Sequence, residues 1–151
     1  MTMRFQYARP PARQPVISLG GRWVRPRPLV RVTVVGPSGV YVREALLDTA
    51  ADDSVFPEIA AAKIGIDLAA APFGEASGVG GAPVLVHYAA VELRLTDGKE
   101  FRRWPAWVGF TAARLKHPLL GFAGCLQFFG AHFHGDREDV ELEVNALYPG
   151  S

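Results

Sequence analysis

The first strongly patterned part of the chain is the segment 28–47, where apolar and polar side chains alternate. Every second residue from Val30 to Val34 is a valine, which is the period of a half-buried strand. Gly-Pro-Ser-Gly at 36–39 predicts a turn, and a second β-rich run follows it. The segment is therefore predicted to be a hairpin whose second strand ends directly before Asp48.

The same two-residue pattern recurs further along the chain, so we predict a mostly β domain. Asp97-Gly98 is a strong turn signal between two β-rich runs, and a last hairpin is predicted around Gly135. Residues 57–64 differ, because proline and glutamate suit the first turn of a short helix and Gly65 suits its end. The 16 glycines and 12 prolines also favour turns and short strands over long helices.

Length and composition narrow the class of protein. The 151 residues suit one domain, and no apolar run reaches the roughly 18 residues that a membrane helix needs, so we expect no membrane contact. The first residues lack the apolar stretch of a signal peptide. The single cysteine, Cys125, is expected to be a small buried apolar residue in a reducing compartment. We therefore expect a cytoplasmic protein.

The net charge of +1 hides an uneven distribution. Residues 1–43 hold eight of the 16 basic residues and no acid, whereas the remaining residues, 44–151, hold all 15 acids. We divide the chain into a basic arm at 1–27, a domain at 28–147 and a tail at 148–151. The arm is expected to pack on the domain. Contact with nucleic acid is less favoured, because the arm lacks interleaved aromatic residues on which bases stack.

Three separated motifs carry the candidate chemistry. The first is ALLDTAADDSVFP, residues 45–57, in which an aspartate follows a predicted buried strand. The second is SGVGG at 77–81, which predicts a hairpin tip. The third is Leu-Leu-Gly at 119–121, which is predicted to end a strand before a short helix. The first resembles the active-site loop of retropepsin-like aspartic proteases, which has the core Asp-Thr/Ser-Gly-Ala. The second resembles their flap tip, and the third their hydrophobic-hydrophobic-Gly element. Order and spacing are also similar over residues 28–145.

This resemblance implies a fold, a mostly β single-lobe acid-protease barrel with one or two short helices. It also implies an aspartic endopeptidase that cleaves an extended peptide or protein segment without a cofactor. Such enzymes use two carboxylates beside one water, and carboxylates about 3 Å apart share a proton and titrate as a pair. The chain has one Asp-Thr motif, so a homodimer is expected, with Asp48 of each protomer meeting at a twofold axis.

The resemblance also assigns roles to individual residues. Asp48 is the expected catalytic acid and base, and Thr49 is expected to hydrogen-bond across the dimer. The other positions are expected to contact the substrate. Ala50, Ala51 and Asp52 are expected to form the floor of the cleft, and Val79, Gly80 and Gly81 the flap. Leu119, Leu120 and Gly121 are expected to support the loop.

Two positions differ from the family's usual pattern. Ala50 stands where the family has glycine, and Phe122 stands where many relatives have an arginine that pairs with the acid at the position of Asp52. The resemblance implies that a methyl group on residue 50 would crowd the place where two loops and a substrate come together. The alternative function is therefore a weakly active or inactive dimer of the same fold that binds peptides or supports assembly.

Other interpretations of these residues are less favoured. Asp48 by itself would suit a polar turn. Asp52, Asp53 and Glu58 lack the ligand spacing of a calcium loop. His132 and His134 lie on one strand face, a geometry that binds zinc, but no further Cys or His is near in sequence. With Phe133 expected to face the core, we expect the histidines to face solvent and the protein to hold no metal.

Overall fold

In a computed structural model, the structure describes residues 1–76 and 81–151. Strands account for 53% of the described residues, which confirms the mostly β class. The described strands are β1 (Thr2–Gln6), β2 (Pro11–Val16), β3 (Arg22–Val24), β4 (Leu29–Val35), β5 (Val40–Leu47), β6 (Val55–Pro57), β7 (Phe73–Ala76), β8 (Val84–Thr96), β9 (Phe101–Thr111), β10 (Leu119–Leu120), β11 (Phe129–His134) and β12 (Asp139–Val144). The α-helix α1 (Glu58–Ile64) and two 3-10 turns (Ile17–Leu19 and Leu126–Phe128) complete the described elements.

The largest sheet has seven strands in the order β4-β5-β10-β6-β9-β8-β7. The strand β4 also pairs with β8, so six of the seven strands form a closed ring of strand pairings, and β7 is attached to it through β8. The long hairpin of β8 and β9 has ten paired positions and forms one side of this ring. A hairpin of β4 and β5 forms the other side, and the short strands β6 and β10 lie between the two.

A second sheet has the order β1-β12-β11, so the first and last strands of the chain are neighbours. Met3 in β1 is only 1% exposed and lies opposite Leu142, which is equally buried. The segment 1–27 also contains the short strands β2 and β3, and Trp23 lies in β3. The division of the chain at residue 27 stays a prediction, although β1 belongs to a sheet with the C-terminal hairpin.

One continuous cluster of buried side chains joins the two sheets. Trp104 is a fully buried member of this cluster and contacts Phe129 edge-on, with ring centroids 5.2 Å apart. Its indole N–H donates to the Gly124 carbonyl oxygen at 2.7 Å, so the polar end of this large side chain is satisfied inside the core. Cys125 is also buried, and burial raises the pKa of its thiol to about 12. The prediction that Cys125 is a core residue is confirmed.

Several predicted elements are confirmed with small changes at their ends. The hairpin at 28–47 corresponds to β4 and β5. The helix α1 begins directly after Pro57 and ends at Gly65, whose φ of 83° is the left-handed conformation that glycine adopts without strain. The second predicted helix is only a 3-10 turn, because the chain after Phe128 returns at once to an extended strand, β11.

The last hairpin is present as β11 and β12, but the predicted burial of Phe133 is only partly correct. Phe133 lies opposite the buried Val140, so it is on the core side, yet its side chain is 38% exposed. His132 and His134 lie on the other face of the same strand. Within the described part of the chain, no helix has both the length and the apolar character that crossing a membrane requires.

The buried position of Met3 gives a test of the first strand. Met3→Ala should lower the free energy of unfolding by about 2–5 kcal/mol, because it leaves a cavity between β1 and the core. Thr2→Ala, on the exposed neighbouring residue, should change it by no more than about 0.5 kcal/mol. Urea denaturation of both variants measures the difference. Equal stability of the two would show that β1 does not pack on the core.

Candidate active site

Asp48 is the first residue after β5, and the backbone around it forms a tight turn. Its own N–H donates to the Leu120 carbonyl oxygen at 3.0 Å. Its side-chain Oδ1 accepts from the Ala50 N–H at 3.0 Å, and its carbonyl oxygen accepts from the Ala51 N–H at 3.2 Å. These bonds fix the carboxylate relative to the backbone and leave it half-buried. Thr49 and Ala50 are exposed.

The strand β10 lies between β5 and β6, although β5 and β6 follow one another in the chain. It runs parallel to β5 and antiparallel to β6, with Leu119 opposite both Leu46 and Val55. The loop from Asp48 to Ser54 therefore connects two strands that are separated by a third. This arrangement places Leu119 and Leu120 beside the ends of the loop, where the sequence motif predicted their support.

The residues after β10 run along the loop and are joined to it by backbone hydrogen bonds. The Phe122 N–H donates to the Ala51 carbonyl oxygen at 2.9 Å, and the Ala123 N–H donates to the Asp52 carbonyl oxygen at 2.9 Å. A Cβ atom on Gly121 would lie 2.3 Å from the Asp53 carbonyl oxygen and 2.6 Å from that of Ala51. Glycine is required at 121 because the two backbone segments approach too closely for any side chain.

Ser54 joins the two segments from inside the protein. Its hydroxyl group donates to the Ala123 carbonyl oxygen at 2.9 Å and accepts from the Gly121 N–H at 3.2 Å. The residue is fully buried, so water cannot replace these bonds. Sequence reasoning did not identify Ser54. The available signal was a lone hydroxyl residue beside the apolar pair Val55 and Phe56.

A second contact missed from sequence joins Asp53 to Tyr88 on β8. The Tyr88 hydroxyl donates to Asp53 Oδ2 at 2.8 Å. Burial, together with this hydrogen bond, raises the pKa of Tyr88 to about 12, so the phenol keeps its proton throughout the physiological range. The two residues are 35 positions apart, and no local pattern predicts their contact. The bond connects the candidate catalytic loop with the strand that follows the glycine-rich segment.

A comparison with known protein families agrees with this geometry. A family model described as aspartyl protease matches residues 30–123, which is more than half of the chain. The chain belongs to the aspartyl protease family. The match includes the Asp48 loop and the Leu-Leu-Gly element, and it confirms the predicted retropepsin-like family. A search of curated proteins found no match.

Within this aspartyl protease domain, the surroundings of Asp52 differ from the arginine pairing of many relatives. Phe122 is 60% exposed. No ion pair of Asp52 is found over residues 1–76 and 81–151, so the acid is held through its backbone, by the bond from Ala123. An exposed aromatic ring therefore lies beside the loop of the aspartyl protease domain in place of a charge.

The predicted flap falls partly outside the described residues. Val79 and Gly80 belong to the segment 77–80, which the structure does not describe, and their role stays a prediction. Gly81 is exposed and precedes β8. The strands β7 and β8 pair antiparallel on either side of the segment, with Ala76 opposite Val84. This pairing agrees with the predicted hairpin as far as the described residues extend.

The close approach at Gly121 gives a stability test of the site. Gly121→Ala should lower the free energy of unfolding by about 1–3 kcal/mol, because the new methyl group forces the loops apart. Gly130→Ala is the matched control, since the nearest atom to its Cβ would be 3.9 Å away. Chemical denaturation and a crystal structure of Gly121→Ala measure the effect. A Gly121→Ala protein as stable as the control would contradict this close packing.

Proposed function

We propose that the chain is an aspartic endopeptidase that acts as a homodimer. The observation that carries this proposal is the position of Asp48 at the end of β5, with its carboxylate oriented by the Ala50 N–H. Over the described residues, its Oδ2 has no hydrogen-bond donor. A fixed carboxylate with one unoccupied oxygen has the properties required of a general base that must contact water.

The homodimer follows from the number of catalytic motifs. The chain carries one Asp-Thr motif, whereas activation of the water needs two carboxyl groups. Two copies related by a twofold axis would bring Asp48 and its symmetry mate together, with Thr49 fixing the two loops across the axis. The exposed Phe122, adjacent to the loop, supplies apolar surface for this interface in place of the arginine of many relatives.

The reaction then proceeds by proton transfers within the pair. One Asp48 carboxylate removes a proton from the water, whose oxygen forms a bond to the peptide carbonyl carbon. The protonated Asp48 donates its proton to the carbonyl oxygen, which gives a neutral tetrahedral intermediate. Collapse of this intermediate breaks the C–N bond: the protonated Asp48 gives its proton to the leaving nitrogen, and the ionised Asp48 takes a proton from one hydroxyl group of the intermediate, which becomes the carbonyl oxygen. The products are a free amine and a free carboxyl group.

The loop also has backbone groups suited to an extended peptide. The carbonyl oxygens of Ala51 and Asp52 are occupied by the N–H groups of Phe122 and Ala123. The Ala50 carbonyl oxygen and the Asp52 N–H have no backbone partner in the described part of the chain. These two groups are proposed to bind the substrate backbone, with Gly81 and the segment 77–80 closing over it in the manner of an added strand.

A second candidate function is a peptide-binding or assembly module with the same fold. It is favoured by Ala50, whose methyl group lies at the exposed turn of the loop. Either function uses the same dimer and cleft. The two differ in whether the Asp48 pair holds a water molecule close enough to the peptide for attack.

The carboxylate itself is tested by Asp48→Asn. This change keeps the size of the side chain and the acceptor for the Ala50 N–H but removes the base, so peptide cleavage should fall to background. Asp67→Asn is a matched control, because Asp67 Oδ1 accepts from the Ala69 N–H at 2.9 Å in the same kind of exposed turn. Hydrolysis of a peptide library, read by mass spectrometry, measures both. Cleavage by Asp48→Asn at the wild-type rate would reject the proposed mechanism.

The dimer is tested by diluting the enzyme. Because each site needs two chains, activity per chain should fall as the concentration drops through the dimer dissociation constant. Adding an excess of the Asp48→Asn chain to wild type should inhibit in the same way, through mixed dimers that carry one carboxylate. Sedimentation velocity at matching concentrations identifies the species. Constant activity per chain in a sedimenting monomer would contradict the dimeric mechanism.

A further inference from the structure

The outer face of the C-terminal hairpin carries a cluster of side chains that the protease mechanism does not use. His132 and His134 lie two residues apart on β11, and Glu141 on β12 is directly opposite His132. Each residue offers one ligand atom, and these three atoms lie within 4.8 Å of one another. Among the residues that the structure describes, no other group of three or more potential metal ligands is found.

The spacing of these atoms is close to that of a metal site. His134 Nε2 lies 3.8 Å from Glu141 Oε1, and the two imidazole rings are nearly perpendicular with centroids 6.1 Å apart. Two ligands of a tetrahedral zinc ion at about 2.0–2.1 Å from the metal lie about 3.3–3.4 Å from each other. Side-chain rotations that move each ligand atom by about 1 Å or less would bring all three to bonding distance.

One atom in this cluster has no hydrogen-bond partner in the described part of the protein. His134 Nε2 is buried from solvent and makes no hydrogen bond with any described residue. On the residue opposite His134, Asp139 Oδ1 is also buried without a hydrogen bond in the same part of the chain. Buried polar atoms are nearly always satisfied, so an unpaired ring nitrogen beside a carboxylate is a position that a water or an ion can fill.

Two arginine side chains near Glu141 would compete with a bound cation for the Glu141 carboxylate. Arg4 on β1 hydrogen-bonds to Glu141 and lowers the pKa of its carboxyl group, and Arg137 lies 3.5 Å from the same oxygen. A cation bound to Glu141 Oε1 would have to displace both Arg4 and Arg137 from this oxygen.

We propose that His132, His134 and Glu141 form a site for a divalent transition metal of the zinc type, which we call the hairpin site. Two imidazoles and one carboxylate match the ligands that zinc prefers, and a water completes a tetrahedral set. The third ligand could not be identified from sequence, because Glu141 becomes a neighbour of His132 only through the pairing of β11 with β12. The ion would crosslink these two strands and release Arg4 and Arg137 from Glu141.

The test is zinc binding to untagged, EDTA-treated full-length protein, measured by isothermal titration calorimetry. We expect one Zn²⁺ per chain and a thermal midpoint that rises with zinc concentration. Each of three variants, His132→Ala, His134→Ala and Glu141→Gln, should weaken zinc binding by at least about tenfold. Loss of a residue that only hydrogen-bonds to a metal ligand already weakens binding by about this factor, so loss of the ligand itself should weaken it at least as much. His87→Ala and His117→Ala are the matched controls and should bind as the wild type does.

Arg4→Met distinguishes a specific three-ligand site from nonspecific binding of zinc to two surface histidines. It removes the nearer of the two competing charges but keeps the aliphatic bulk, so zinc affinity should increase, and Co²⁺ should give the intense visible absorption of a tetrahedral site. Circular dichroism confirms that each variant is folded. No binding by wild type, or equal binding by wild type and the three ligand variants, would overturn the proposal. The peptidase activity plays no part in this test, so its outcome is independent of the proposed function.

Discussion

Leu119 and Leu120 lie between β5 and β6, and the hydrogen bonds of this two-residue strand hold the Asp48 loop in place. The bond from the Asp48 N–H to Leu120 fixes the start of the loop, and the bonds between Ser54 and Ala123 fix its end. Gly121 allows the two backbones to come this close. The candidate catalytic residue is therefore positioned by a segment about 70 residues further along the chain.

Those features that depend on neighbouring residues were predictable from sequence. The hairpin of β4 and β5, the end of α1 at Gly65 and the place of Asp48 after a strand all follow from local pattern and turn chemistry. The Leu-Leu-Gly element was found through its resemblance to a family, because two apolar residues and a glycine have no distinctive local pattern. The family match later confirmed that resemblance.

The features that sequence did not reveal are contacts between distant residues. Three of them are the Tyr88–Asp53 hydrogen bond, the hydrogen bonds of the buried Ser54 hydroxyl group and the pairing of β1 with β12. Each joins segments that are far apart in sequence, so no local pattern predicts it. Residues 1–27 lack a clear period because their strands are short and mostly exposed, so the alternation that marks a half-buried strand is weak there. Burial of Met3 depends on a partner strand, which the sequence of β1 does not specify.

The pairing of Thr2 with Glu143 has a consequence for the order of folding. A contact between residues so far apart in sequence carries a large loop-closure entropy and forms slowly unless other contacts have already shortened the loop. During synthesis β1 is made before β12, which follows it by more than 130 residues. The pairing of β1 with β12 therefore cannot form early, and the newly made chain carries β1 without this partner until translation has passed residue 144.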